Sequence, residues 1–238
     1  MLLDGFAGQS PSVKPALLSA IFASPERINK LLDEIESGRI AARELDVTRT
    51  GQLLKNSDPA IKARAEKLLA SNISSDRDQV YNDFKPALAL DADPQRGREV
   101  FRRTCIQCHK IGKLGVNVAP EISDVGRTQT NEQILLSILD PNRAIDNNYF
   151  SYSVLLHDGT VHTGVIAAET ATSVTLKQAE GKQVTVLRSD IDELKSNGIS
   201  LMPVGVEKDI DKQQMADLVS FIKNWRYLDG AVPGVGGR

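Results

Sequence analysis

The chain has 238 residues, of which 41% are hydrophobic and 25% charged, and its formal net charge at pH 7 is -2. This composition is typical of a globular protein with one large core or two smaller ones. The nearly balanced charge argues against a nucleic-acid binder, because such proteins carry a basic excess that neutralises phosphates.

The start of the chain, MLLDGFAGQSPSVK, lacks the basic and apolar regions of a secretory signal. No run in the sequence approaches the roughly 20 apolar residues that cross a bilayer. We therefore expect a leaderless chain with no membrane span.

Residues 1 to about 90 contain four amphipathic helical patterns, punctuated by proline at helix starts and by Gly or Asn near helix ends. The segments are PALLSAIFA, PERINKLLDEIESG, GQLLKN and DPAIKARAEKLLAS. Their apolar stripes must be buried against one another, which predicts a helical bundle or a fragment of a helical repeat array over 1–90.

The next segment, DPQRGREVFRRT, predicts a short amphipathic helix that begins at Pro94. Gly97 on this helix would let a second helix approach closely. A candidate partner is IDKQQMADLVSFIKNW near the C-terminus, whose apolar residues recur with helical spacing. They are Met215, Leu218, Val219, Ile222 and Trp225.

The stretch TCIQCHKIG places both cysteines of the chain and a histidine within five positions, Cys105, Cys108 and His109. A zinc site needs about four ligands, and the adjacent Cys108 and His109 would have difficulty reaching one tetrahedral ion. A thioredoxin-like dithiol follows a buried strand and begins a helix, whereas here a helix runs into the motif.

Covalently bound haem is the interpretation that uses every residue of this motif. Cys105 and Cys108 have the spacing to add across the two vinyl groups of the porphyrin. His109 follows at once as the proximal iron ligand. In the following VNVAPEISDVG, we expect Pro120 to pack on the haem face and a nearby carbonyl oxygen to accept the proximal imidazole N–H.

A sixth iron ligand is required in a low-spin electron carrier. Met202 is the best candidate, because NGISLMPVGVEKD is rich in turn residues and Pro203 fixes the backbone beside the thioether. Met215 is expected to pack in the core. His157 and His162 are expected to be exposed strand histidines, although either could supply the ligand instead.

Between the motif and Met202 the pattern changes from helix to strand. TNEQILLSILDPN predicts a helix capped by Thr130 or Asn131. Residues 149–196 are rich in Val, Thr and Ile with turn signals at Asp158-Gly159 and Glu180-Gly181, which predicts four or five strands in a small antiparallel sheet or barrel. The Gly-rich residues 229–238 are predicted to be a flexible tail.

The segments GREVFRRTCIQCH, VAPEISDVG, LMP and the terminal aromatic helix resemble the class I cytochrome c domain. Residues from about 60 to 228 resemble more closely the planctomycete-type haem-binding domain found at the C-terminal end of large multidomain proteins. Members of that family often have Gly-Pro where this chain has Ala119-Pro120. The resemblance implies a haem domain over 91–228 that is interrupted by the β-rich segment, in a protein that is mainly α.

These features predict a monohaem c-type electron-transfer domain with one covalent haem c, held by Cys105, Cys108, His109, Pro120 and Met202. His109 and Met202 are the predicted iron ligands. The alternative hypothesis is a haem protein with an open distal site, acting as a peroxidase or gas sensor. No catalytic residue is assigned, and an electron-transfer domain is favoured over an enzyme.

The family resemblance also implies a partner and a location. The partner would be a redox protein or a linked dehydrogenase domain, and the location periplasmic or otherwise extracytoplasmic, since haem is attached covalently outside the cytoplasm. We expect the chain to be the C-terminal piece of a longer exported protein. The sequence assigns no nucleic-acid partner and leaves the oligomeric state open.

Overall fold

A computed structural model describes residues 3, 6, 9–69 and 75–230 of the chain. The chain divides into two compact units. The first comprises the described residues within Met1–Ser74, Asn142–Gln178 and Gln183–Leu201, and the second those within Ser75–Pro141, Ala179–Lys182 and Met202–Arg238.

Four helices open the first unit, and their apolar faces form its helical core. They are α1 (Lys14–Phe22), α2 (Pro25–Glu36), α3 (Val47–Leu54) and α4 (Pro59–Leu69). Proline occupies the first turn of α1 and of α2, where its missing N–H costs no helical hydrogen bond. Asp46 caps α3 by accepting a hydrogen bond from the Arg49 backbone N–H at 2.8 Å. The four helical patterns of the sequence are thus confirmed.

A five-stranded antiparallel sheet completes the first unit. Its strands are β3 (Phe150–Leu156), β4 (Val161–Glu169), β5 (Ser173–Lys177), β6 (Gln183–Leu187) and β7 (Ile191–Ser200), in the spatial order β6-β5-β4-β3-β7. Val154, Val174 and Leu176 are fully buried on one face. The predicted turn at Asp158-Gly159 is present, and Gly159 adopts a positive φ of 85° that favours glycine.

The sheet is bonded to the N-terminal helical segment. The Val47 N–H donates to the carbonyl of Ile145, in the segment that leads into β3, at 2.9 Å. The Ser12 N–H donates to Oε2 of Glu169 on β4 at 2.9 Å. A cytochrome insertion would not be expected to make these contacts. The sheet is therefore part of the same compact unit as α1–α4.

The predicted fold class needs correction. The described residues contain 51% helix and 19% strand, so the fold is mixed α and β, and the prediction of a mainly α protein with a small β insertion is wrong. The sheet has its own buried core and extensive pairing, which makes it a principal element of the fold.

The second unit consists mainly of helices around one apolar core. Its elements are α5 (Ser75–Phe84), α6 (Pro94–Thr104), β1 (Lys110–Ile111), β2 (Leu114–Gly115), α7 (Val125–Thr128), α8 (Asn131–Leu139) and α9 (Lys212–Asn224). Thr130 forms a capping box with Gln133 at the start of α8, which confirms one of the two predicted caps. A 3-10 helix, Trp225–Gly230, follows α9, and the rest of the predicted tail lies outside the described residues.

Helices α6 and α9 pack at the centre of the second unit. A methyl group on Gly97 would lie 1.9 Å from the Asp217 carbonyl oxygen, so only glycine permits this approach. The rings of Phe101 and Phe221 meet beside it with centroids 5.4 Å apart. Met215 has no exposed surface, as expected for a core residue. The predicted pairing of these two helices is confirmed.

Within the described part of the chain, no helix is both long and apolar enough to cross a lipid bilayer.

Candidate functional site

The cysteine and histidine motif lies in a tight turn at the C-terminal end of α6. Cys105 is the C-cap residue, and its N–H donates to the Phe101 carbonyl at 2.8 Å. The Cys105 carbonyl then accepts from the N–H groups of Cys108 at 3.1 Å and His109 at 2.9 Å. The three candidate residues are thus held in one hydrogen-bonded turn of the backbone.

A second set of backbone bonds fixes the loop that follows. The carbonyl of Cys108 accepts from the N–H groups of Val118 at 3.1 Å and Ala119 at 2.9 Å. Between them runs the β1–β2 hairpin, which the sequence did not predict because each strand has only two residues. Gly115 in this hairpin has a φ of 83°, and a methyl group there would lie 2.0 Å from the His109 carbonyl oxygen.

His109 is oriented by the carbonyl oxygen of Pro120, which lies 2.9 Å from its Nδ1 atom. A carbonyl oxygen only accepts, so Nδ1 carries the proton and Nε2 keeps its lone pair. Burial lowers the pKa of His109, against the opposing effect of the Pro120 bond, so the imidazole is neutral at pH 7. This is the protonation state that a metal-ligating histidine needs.

Both cysteines are free thiols. Burial raises the pKa of Cys105 to about 11, and burial also raises the pKa of Cys108. Their position at a helix C-terminus adds no stabilisation of a thiolate, because that end of the helix dipole is negative. A redox dithiol needs a lowered thiol pKa, so this environment argues against dithiol chemistry.

A zinc site is not assembled around the motif. Across residues 9–69 and 75–230, no group of three or more His, Cys, Asp or Glu side chains is arranged to hold a metal ion. Zinc in a structural site takes four such ligands. The donor set at the motif is therefore two thiols and one imidazole with a free Nε2, which fits covalent haem attachment.

Trp225, which follows α9, packs against the loop after the motif. The sequence did not predict this contact. Trp225 donates from Nε1 to the Ser123 carbonyl at 3.0 Å, and the Ser123 hydroxyl accepts from the Gly112 N–H at 2.8 Å. A methyl group on Gly112 would lie 2.4 Å from the indole ring. The sequence features that could have indicated this packing are Trp225 and Gly112 of the hairpin.

The remaining candidate ligands differ in where they lie. Met202 belongs to the second unit, as the motif does, and is half-buried in the loop between β7 and α9. His157 and His162 belong to the first unit. The side chain of His157 is 61% exposed but lies in the turn after β3, whereas His162 lies on β4 and is half-buried. Neither is therefore both exposed and on a strand, contrary to the prediction from the sequence.

No protein-family model matches the chain, and a search of curated proteins also gives no match. The resemblance to cytochrome c domains therefore rests on the motif residues themselves.

Proposed function

We propose that the second unit is a monohaem c-type cytochrome domain that carries single electrons. The observation that carries this proposal is the hydrogen bond from His109 Nδ1 to the Pro120 carbonyl, next to two free thiols in the same turn. It leaves a neutral imidazole with Nε2 available beside two cysteines at the spacing that haem attachment uses.

The two cysteines would hold the cofactor by thioether bonds. Each thiol would add across one vinyl group: its sulfur would bond to the carbon nearer the ring and its proton would go to the terminal carbon. No electrons are gained or lost in this addition. Free, protonated thiols are the form that the addition consumes, and Cys105 and Cys108 are present in that form.

His109 would ligate the iron through Nε2, with its tautomer fixed by Pro120. Met202 is proposed as the second iron ligand, which would raise the reduction potential relative to two histidines and block external ligands. When bound, the haem supplies a site that accepts and releases one electron. The residues of the loop would hold its position, and two of them, Ile111 and Val118, are buried.

The resemblance to the planctomycete-type haem domain supports the same function and extends it. We propose an extracytoplasmic location and a redox partner protein or linked dehydrogenase domain. These follow from the similarity of the CxxCH and Met-Pro segments to that family.

Potentiometry of the matured, exported chain tests the proposed function. We expect one haem per chain that is reduced and reoxidised reversibly in a one-electron step. A haem that could not be reversibly reduced would contradict the electron-carrier proposal. A high-spin ferric spectrum in the unaltered protein would instead favour an open distal site for peroxide or a diatomic gas.

A further inference from the structure

The turn between β5 and β6 contacts the segment between the two cysteines. Its residues 179–182 belong to the second unit, together with the motif. The backbone N–H of Glu180 donates to the carbonyl oxygen of Gln107 at 2.7 Å. Gln107 lies directly before Cys108, so a distant part of the sequence is bonded to the cysteine loop.

This turn holds a backbone conformation that is unfavourable for its sequence. Glu180 has a φ of 63°, and it is the one non-glycine residue with a positive φ in the described ranges of the chain. Gly181 follows with a φ of 75°, and a methyl group there would be 3.6 Å from Val116 Cγ1. A residue with a Cβ resists this conformation, so neighbouring contacts must maintain it.

The side chain of Glu180 does not make the contact with the motif. Its carboxylate pairs with Lys182 Nζ at 2.8 Å, and both side chains are more than half exposed. The bond to Gln107 comes from the backbone alone. Two substitutions of Glu180 can therefore remove the same side chain, one of them keeping the backbone N–H donor and the other removing it.

We propose that the turn 179–182 is a positioning element for the haem site, because it is bonded to the segment between the two cysteines. This inference depends on the proposed function, since the porphyrin must lie against Cys105 and Cys108. Glu180 acts through Gln107: its backbone N–H holds the backbone between the two thiols in place. Loss of this bond would release the cysteine loop and admit more water beside the porphyrin. Water favours the oxidised site, which has one more positive charge, and so lowers the midpoint potential.

Two substitutions at one position test the proposal. Glu180→Gly keeps the N–H donor and suits a positive φ, whereas Glu180→Pro has no N–H and requires a negative φ. Both remove the pair with Lys182. We expect the glycine variant to keep the midpoint potential of the unaltered protein. We expect the proline variant to have a lower potential and faster oxidation by ferricyanide once reduced.

Equal potentials and equal oxidation rates in a haem-loaded proline variant would overturn the proposal and leave the proposed function intact. A chain that takes up no covalent haem would instead defeat the proposed function, and this inference with it. If the proline variant does not fold, amide hydrogen exchange in the unaltered protein decides. Slow exchange at the Glu180 amide is expected, and exchange at the rate of an open loop would contradict the bond to Gln107.

Discussion

Gly97 of α6 and Asp217 of α9 are in backbone contact: a methyl group on Gly97 would lie 1.9 Å from the Asp217 carbonyl oxygen and 2.8 Å from Phe221 Cβ. The same Asp217 uses its side chain to tie the start of α6 to α9. It accepts from the Asp93 N–H at 2.8 Å and from Arg96 Nε at 2.7 Å. One residue thus fixes both the separation and the register of the two helices.

Gly97→Ala is expected to destabilise the second unit by about 1–3 kcal/mol or more, because a clash with backbone cannot be relieved by a rotamer change. Urea denaturation measures the change. Gly51→Ala in α3 is the matched control, since nothing lies within 4 Å of its added methyl group. That control is expected to be neutral or stabilising by up to about 1 kcal/mol. Equal losses in both variants would contradict the close packing of α6 and α9.

Asp217→Asn is expected to destabilise the protein in a pH-dependent way. Burial alone would raise the pKa of Asp217, but hydrogen bonds from Arg96, the Asp93 N–H and Gln213 outweigh it and lower the pKa. A lowered folded-state pKa stabilises the protein above the unfolded value of 3.8, and this stabilisation is lost as the pH falls through the folded-state pKa.

The free energy of unfolding should therefore differ between Asp217→Asn and the unaltered protein by about 1–3 kcal/mol at pH 7. The difference should shrink in urea titrations below pH 3.8. A difference that did not change with pH would show that the carboxylate charge does not contribute.

Tyr152 on β3 gives the opposite pH dependence. Burial, with a contribution from Glu44, raises the pKa of Tyr152 to about 12. A raised pKa stabilises the folded protein below the unfolded value of 10.0, and this stabilisation is lost as the pH rises towards 12. Tyr152→Phe should lose less free energy of unfolding than the unaltered protein between pH 8 and pH 11, because it has no phenol to ionise. Urea unfolding at the two pH values measures this. If the free energy of unfolding fell equally in both proteins between pH 8 and pH 11, the raised pKa of Tyr152 would be contradicted.

Gly115→Ala should disturb the proposed haem-binding loop more than the loss of a glycine at a positive φ alone would. The added methyl group would lie 2.0 Å from the His109 carbonyl oxygen, so the motif turn must shift. Gly159→Ala is the control, since Gly159 has a φ of 85° against 83° for Gly115 and nothing within 4 Å. We expect the yield of covalent haem to fall in Gly115→Ala and to stay unchanged in Gly159→Ala.

Met202→Ala tests the sixth iron ligand. If the thioether sulfur ligates the iron, the ferric spectrum of the unaltered protein contains a methionine-sulfur charge-transfer band that disappears in this variant. Met215→Leu is the control, because Met215 of α9 is fully buried in the apolar core. This variant is expected to leave the band unchanged. A band that survives in Met202→Ala would exclude Met202 as the ligand.

The sequence predicted those features of the fold that depend on local side-chain patterns. The helical spacing from Met215 to Ile222 predicted the buried face of α9. Gly97 of α6 predicted the close contact between α6 and α9. Thr130 predicted the start of α8. Each signal lies within a single element, where period and capping preferences act directly.

The sequence did not predict that the sheet joins the N-terminal helices. The bond from the Val47 N–H to the Ile145 carbonyl uses backbone atoms, which every residue has, so no side-chain pattern marks it. The same is true of the Glu180 contact with Gln107. For the candidate site, the sequence predicted that a carbonyl oxygen near Pro120 accepts a hydrogen bond from His109, but the β1–β2 hairpin and the role of Trp225 depend on tertiary packing.

The mass of the denatured polypeptide, measured after export, maturation and acid extraction, tests the central proposal most directly. If Cys105 and Cys108 hold the haem by thioether bonds, the chain keeps its colour and is heavier than the bare polypeptide by one haem. The double substitution Cys105→Ala and Cys108→Ala should abolish that increment. A bare-chain mass and complete loss of pigment from the unaltered protein would contradict covalent haem attachment.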